Sequence, residues 1–247
     1  MLKRVSLGRL TTLLLVLSLG PFTVLASDTT PTDTPQLTIA SSSEQRIENK
    51  PLIIANSKAW KPYSFLDKTG QPTGILVDLW KAYGAANNLD VEFSLVDWSD
   101  SIDITRQGKA DIHAGLLWSP ERAEFLTYGG ELFEIDTQLY FHQTLQSFNA
   151  NTFLLGNHNY KVGVVRGGYE AEYMRSQFPS VDLVYFDNNE LMIKAARARN
   201  ILAFVADLQV ANYYLHTSSY SGQFIGVKHL YSGYLHYAIG GEKCNRN

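Results

Sequence analysis

The chain has 247 residues, 21 Lys and Arg against 24 Asp and Glu, a formal charge of −3 and 12% aromatic content. A mildly acidic chain without a basic face excludes nucleic acid as a partner, and this aromatic content excludes a disordered chain. The single cysteine, Cys244, excludes an internal disulfide, and six scattered histidines lack metal-ligand spacing, so neither metal nor cofactor is expected.

Basic Lys3, Arg4 and Arg9 precede the apolar run 10–19, and Val24-Leu25-Ala26 suits signal peptidase. Residues 1–26 therefore read as a cleavable export signal, which places the mature protein in the periplasm. Residues 27–50, rich in Ser, Thr and Pro, read as a flexible linker. Folding is expected from Pro51: a buried strand over 52–55, a loop carrying Trp60, and a hairpin with its tip at Gly70. Apolar residues at 75, 76, 79, 80 and 83 recur at helical spacing, so a helix is expected to about Asn87, with Asp78 capping or bracing it. Val91, Phe93 and Leu95 alternate as a strand, and Ser99 or Asp100 starts a short helix that Gly108 stops. Residues 110–114 read as a buried strand closed by Gly115. Ser119-Pro120-Glu121 carries the marks of a helix start, with Ser as N-cap and Pro at the first helical position.

Residues 136–142 form the next expected strand, and 143–160 a polar, Asn-rich connection. A second strand–helix–strand series follows: a strand over 161–165, a tight turn at Arg166-Gly167-Gly168, and a helix over 169–178. Then come a strand over 181–186, a helix capped by Asn188 or Asn189 and running to Arg199, a strand over 201–205 ending in Ala206-Asp207, and a helix over 208–216. Residues 235–239 form a last strand. Alternation of this kind is the grammar of parallel sheets with right-handed crossovers, so the fold class is α/β.

The pattern Gly108, Asp111, Gly115, Ser119-Pro120-Glu121-Arg122, Tyr128 and Gly129, with Gly74 to Asp78-Leu79 upstream, resembles the family 3 extracellular solute-binding proteins, the bacterial periplasmic receptors for amino acids and related polar solutes. The likeness covers roughly residues 51–240. It implies a two-lobed periplasmic-binding-protein (type II) fold, each lobe a mostly parallel sheet flanked by helices and joined by crossing hinge strands. Lobe 1 is expected to hold 51–142 and 230–247, and lobe 2 residues 143–229. The family continues with a helix after the return strand; here 240–247 is polar, so an ending that exposes part of lobe 1 is expected.

The resemblance also implies a ligand site of Trp60, Gly115, Leu117, Arg122, Gly167, Gly168, Tyr169 and Asp207. In that scheme Arg122 clamps a carboxylate, Asp207 accepts from an ammonium group, and Trp60 forms a wall. The residue types leave other roles open: Arg122 paired with an acid, Asp207 capping the helix after it, Trp60 pinned in the core. Two departures stand out. Leu117 replaces a hydroxyl residue, and Gly167-Gly168-Tyr169 stands where the family usually has Gly-Thr-Thr. The expected role is a transport receptor for an amino-acid-like or other small polar solute, served by an inner-membrane permease. The alternative is a sensing module fused to a signalling domain. A dehydratase-like enzyme is a remote third reading, since no nucleophile with its base and no paired carboxylates are legible.

Overall fold

The structure is a computed structural model that describes residues 50–216 and 222–240; the expected export signal, the linker up to residue 49 and the ending 241–247 lie outside the described residues. The chain opens with β1 (Leu52–Ser57), whose last four residues are buried, and a small three-stranded sheet of β2 (Ala59–Trp60), β3 (Ser64–Leu66) and β4 (Pro72–Thr73). Gly74 then turns with φ +123° where a Cβ would meet the Tyr63 carbonyl, so only glycine fits. Helix α1 (Ile75–Asn87) follows, burying Leu76, Val77 and Trp80. Asp78 lies exposed in its first turn with no capping bond, where its charge complements the helix dipole.

Next come β5 (Val91–Val96), α2 (Trp98–Arg106), β6 (Ile112–Leu117), α3 (Pro120–Ala123) and β7 (Leu126–His142). Ser119 caps α3 as expected, accepting from the Arg122 amide at 3.3 Å. Helix α2 starts at Trp98, ahead of the expected Ser99, because Asp97 is the N-cap residue. Strand β6 also outruns its expected end. Gly115 sits inside it rather than closing it, since Leu116 and Leu117 pair with His236 and Leu235 of the last strand.

The connection expected over 143–160 is partly helical, with a 3-10 turn at Gln143–Leu145 and α4 (Ala150–Phe153). Buried Leu145 and Phe153 anchor it, and Phe153 stacks on His158 with centroids 3.8 Å apart. The chain goes on through β8 (Val162–Val165), α5 (Tyr169–Gln177), β9 (Leu183–Phe186), α6 (Asn189–Arg197), β10 (Ala203–Asp207), α7 (Leu208–His216) and β11 (Phe224–Gly240). Asn188 caps α6 by accepting from the Leu191 amide at 3.0 Å.

Eight strands form one sheet in the order β5-β1-β6-β11-β7-β10-β8-β9. The outer triplets, β5-β1-β6 and β10-β8-β9, are parallel, while β11 and β7 run antiparallel to each other and to their outer neighbours. The central pair is longer than the expected 136–142 and 235–239: each strand has 17 residues, and their register shifts repeatedly. Two parallel half-sheets therefore meet at one crossing pair. Their carboxyl ends, Leu117 of β6, Val165 of β8 and Asp207 of β10, line a common space, where α/β sheets gather ligands.

Candidate functional site

Trp60, 4% exposed, packs edge-on against Trp98 with centroids 5.2 Å apart and tilts over Tyr63 at 4.6 Å. Its Nε1 donates to Asp207 Oδ2 at 2.9 Å, a bond from the small three-stranded sheet to β10 of the large one. The other oxygen of Asp207 accepts from the Thr137 hydroxyl of β7 at 2.9 Å. Burial pushes the Asp207 carboxyl up from its ordinary range, and these two bonds pull only partly against it.

Arg122 is 3% exposed. Its guanidinium donates to the Leu117 carbonyl at 3.0 Å, to the Gly167 carbonyl at 2.9 Å, and to Glu172 Oε1 at 2.7 Å. Of the two roles its residue type left open, the ion pair is the one present, and the partner is an acid of α5, 50 residues away, instead of a near neighbour. The Gly167 carbonyl also accepts from Trp98 Nε1 at 3.0 Å, and Asn188 Nδ2 donates to Asp97 Oδ1 at 2.6 Å. These contacts join α2 and α3 of the first half to the start of α5 and α6 in the second.

Gly168 is buried at the N-cap of α5, and a Cβ there would run into the Glu170 carboxylate. Glycine thus leaves room for that carboxylate to fold back past the helix start to the end of β8, where Glu170 Oε1 accepts from the Val165 amide at 3.2 Å. Burial, and next the charge of Asp207, push the Glu170 carboxyl up to about 8. Below the site, buried His113 is driven the other way, to about 3, first by burial and then by Arg122. The Ser101 hydroxyl donates to the Trp98 carbonyl at 2.6 Å and lies 3.0 Å from His113 Nε2, so the buried imidazole, held neutral, is tied to α2.

These groups enclose a cavity of about 30 Å³ whose walls include Trp60, Trp98, Leu117, Arg122, Gly168, Tyr169, Glu170, Asp207 and Tyr231. That is space for roughly one water molecule, whereas ligand pockets run from about 300 Å³ upward. The chain's own hydrogen bonds span this space and leave it narrow.

Residues 52–200 match the family model of the bacterial extracellular solute-binding proteins, family 3. The chain belongs to that family. Over 165 residues it is 27% identical to a probable histidine-binding protein of Neisseria gonorrhoeae, an alignment covering 65% of this chain and 60% of that relative, so the chain spans about three fifths of the relative's length. Among solved structures, a histidine kinase sensor domain with similarity to periplasmic binding proteins superposes with a TM-score of 0.71 at 20% identity, over 79% of this chain and 84% of the other. An ancestral amino-acid-binding protein, described as a precursor of cyclohexadienyl dehydratase, does so with a TM-score of 0.68 at 25% identity, over 78% and 82%. The holo arginine-binding protein of T. maritima reaches 0.67 at 18%, over 77% and 83%. The fold is accordingly the two-lobed one of this family, with β7 and β11 as the crossing strands.

Of the residues the resemblance pointed to, Trp60, Leu117, Arg122, Gly168, Tyr169 and Asp207 line this one cavity. Gly115 and Gly167 are not among its lining residues. Gly115 lies inside β6, where Leu76 methyls would contact a Cβ at 3.2 Å and its carbonyl accepts from Asn56 Nδ2 at 3.2 Å. Gly167, at φ +69°, contributes the carbonyl that receives both Trp98 and Arg122. Sequence reasoning missed Trp98, Thr137, Glu170, Glu172 and Tyr231. The one available signal was the pair of acids, Glu170 and Glu172, in the first turn of α5.

Proposed function

We propose that this chain captures a small polar solute, of amino-acid size, in the cavity between its half-sheets and serves as the receptor of a transport system at the outer face of a bacterial inner membrane. The observation that carries this reading is the convergence of Trp60, Leu117, Arg122, Gly168, Tyr169 and Asp207, drawn from both half-sheets, on one enclosed space at the strands' carboxyl ends. Family membership supports the binding role, and the amino-acid-binding relatives support the solute class. In this reading the lobe bearing β5, β1 and β6 rotates against the lobe bearing β10, β8 and β9 about β7 and β11, trading the bonds that span the cleft for bonds to solute.

The test is a thermal-shift screen of amino acids, amines and related solutes on the full chain, followed by small-angle scattering. A solute at a hundred times its Kd adds about 2.7 kcal/mol of stability, a shift of several degrees. Absence of any shift across the screen would overturn the proposal.

A further inference from the structure

We propose that the solute this cleft takes is a cation that needs no carboxylate anchor, an ammonium or guanidinium compound seated between Asp207 and Glu170 and walled by Trp60, Trp98, Tyr169 and Tyr231. The inference rests on the solute-capture reading and deepens it.

Four observations lead there. Arg122 is the cation of the cavity wall, and its charge is already matched: Glu172 neutralises it at 2.7 Å, and the carbonyls of Leu117 and Gly167 accept two further hydrogen bonds from it. The remaining acids of the wall are Glu170 and Asp207, and the hydrogen bonds each receives come from neutral donors: the Val165 amide for the first, the Trp60 indole and the Thr137 hydroxyl for the second. Third, both places that would hold a solute's carboxylate are occupied by the chain's own acids. Glu170 sits against the start of α5, in the space that Gly168 leaves, and Glu172 sits on the guanidinium. Fourth, the walls beside the two acids are indole and phenol rings, whose faces attract a cation most strongly where water is excluded.

Proton linkage follows from the same geometry. Glu170 faces Asp207 from β10, Arg122 from α3 and Tyr231 from β11, and its carboxyl, pushed up to about 8, carries its proton at neutral pH. A cation placed beside it favours the carboxylate, so binding releases that proton.

The experiment is calorimetric titration of the full chain with agmatine, putrescine, arginine, glutamine and glutamate, in two buffers of different ionisation enthalpy. Agmatine and putrescine are expected to bind at least about tenfold more tightly than glutamine or glutamate. Close to one proton should leave per agmatine bound at neutral pH. Glu170→Gln should lose about tenfold in agmatine affinity and abolish the release, and Asp207→Asn gives an independent loss of similar size should the first variant fold poorly. Glu172→Gln, which frees Arg122, should raise arginine affinity relative to agmatine. Glutamine or glutamate binding as tightly as agmatine would overturn the inference while leaving solute capture standing. So would arginine binding more than about tenfold more tightly than agmatine to the unaltered chain, because its carboxylate would then be anchored. Binding of none of the five overturns the inference, while capture itself stands or falls on the wider thermal-shift screen.

Discussion

The Arg122–Glu172 pair sets a quantitative demand on the narrow cleft. Its side chains are 3% and 18% exposed and 2.7 Å apart. An exposed pair contributes about 0.2–1 kcal/mol, whereas removing one member of a buried pair costs about 3–5 kcal/mol, so the burial decides which regime applies. The two single substitutions should differ. In Glu172→Gln the guanidinium stays buried without its counter-charge, keeping only neutral carbonyl acceptors, and the cost should be about 3 kcal/mol. In Arg122→Met the Leu117 carbonyl keeps the Tyr128 hydroxyl at 3.2 Å, the Gly167 carbonyl keeps Trp98 Nε1 at 3.0 Å, and Glu172 is exposed enough to rehydrate. The cost there should be nearer 2 kcal/mol. Urea unfolding of both variants and the double variant gives the coupling energy, expected at about 1.5–3 kcal/mol with an unchanged m-value. A coupling below about 0.5 kcal/mol would mean that the pair behaves as a surface contact and that the cleft is not held narrow as described.

The Glu170 carboxyl, raised to about 8 in the fold, holds a proton that the unfolded chain releases near 4.5, so its contribution is fully present below the lower value and is lost as pH rises through the upper one. Stability measured by chemical unfolding should fall across that window, and Glu170→Gln should flatten the fall. His113 has the opposite sign: held neutral down to about 3, it costs stability as pH drops from 6.5 toward that value, and its NMR shifts should not titrate above about pH 5. Phe153→Ala should cost about 3–5 kcal/mol, since the ring is 1% exposed and packs on Phe141 and His158; a loss under about 1.5 kcal/mol would show that the 143–160 connection is not anchored by it.

Local signals carried most of the elements. Ser119 with Pro120, and Asn188 ahead of the 189–197 run, mark helix starts through short-range hydrogen bonding, and both caps are made. The elements that sequence misjudged depend on partners far along the chain. Residues 126–135 show no clean alternation, yet they are strand, because residues 233–240 lie beside them. Gly115 looks like a terminator by its type and is interior to β6, because β11 pairs with Leu116 and Leu117 beyond it. In 143–160, polar composition hid Leu145 and Phe153, two side chains that suffice to pin a segment whose surface is otherwise wet.

The site was legible as a set of positions and much less so as a set of charges. A strand's carboxyl end or a helix start can be located from a few neighbouring residues, so Trp60, Arg122 and Asp207 could be gathered from three separate stretches. What each charge does depends on which other charges the fold brings near. Acids in the first turn of a helix ordinarily mean a dipole contact of about 0.3–1 kcal/mol in water, and nothing within 169–177 says otherwise. Gly168, lacking a Cβ, lets Glu170 turn inward to the helix start, while Glu172 crosses to Arg122 on the other half-sheet. The departure at Gly167-Gly168-Tyr169 reads, along the sequence, as a loss of hydroxyl donors. In the fold the same segment turns the Glu170 side chain back to the end of β8 and carries Glu172 across to Arg122, so what replaces the hydroxyls is a pair of acids placed by long-range contacts.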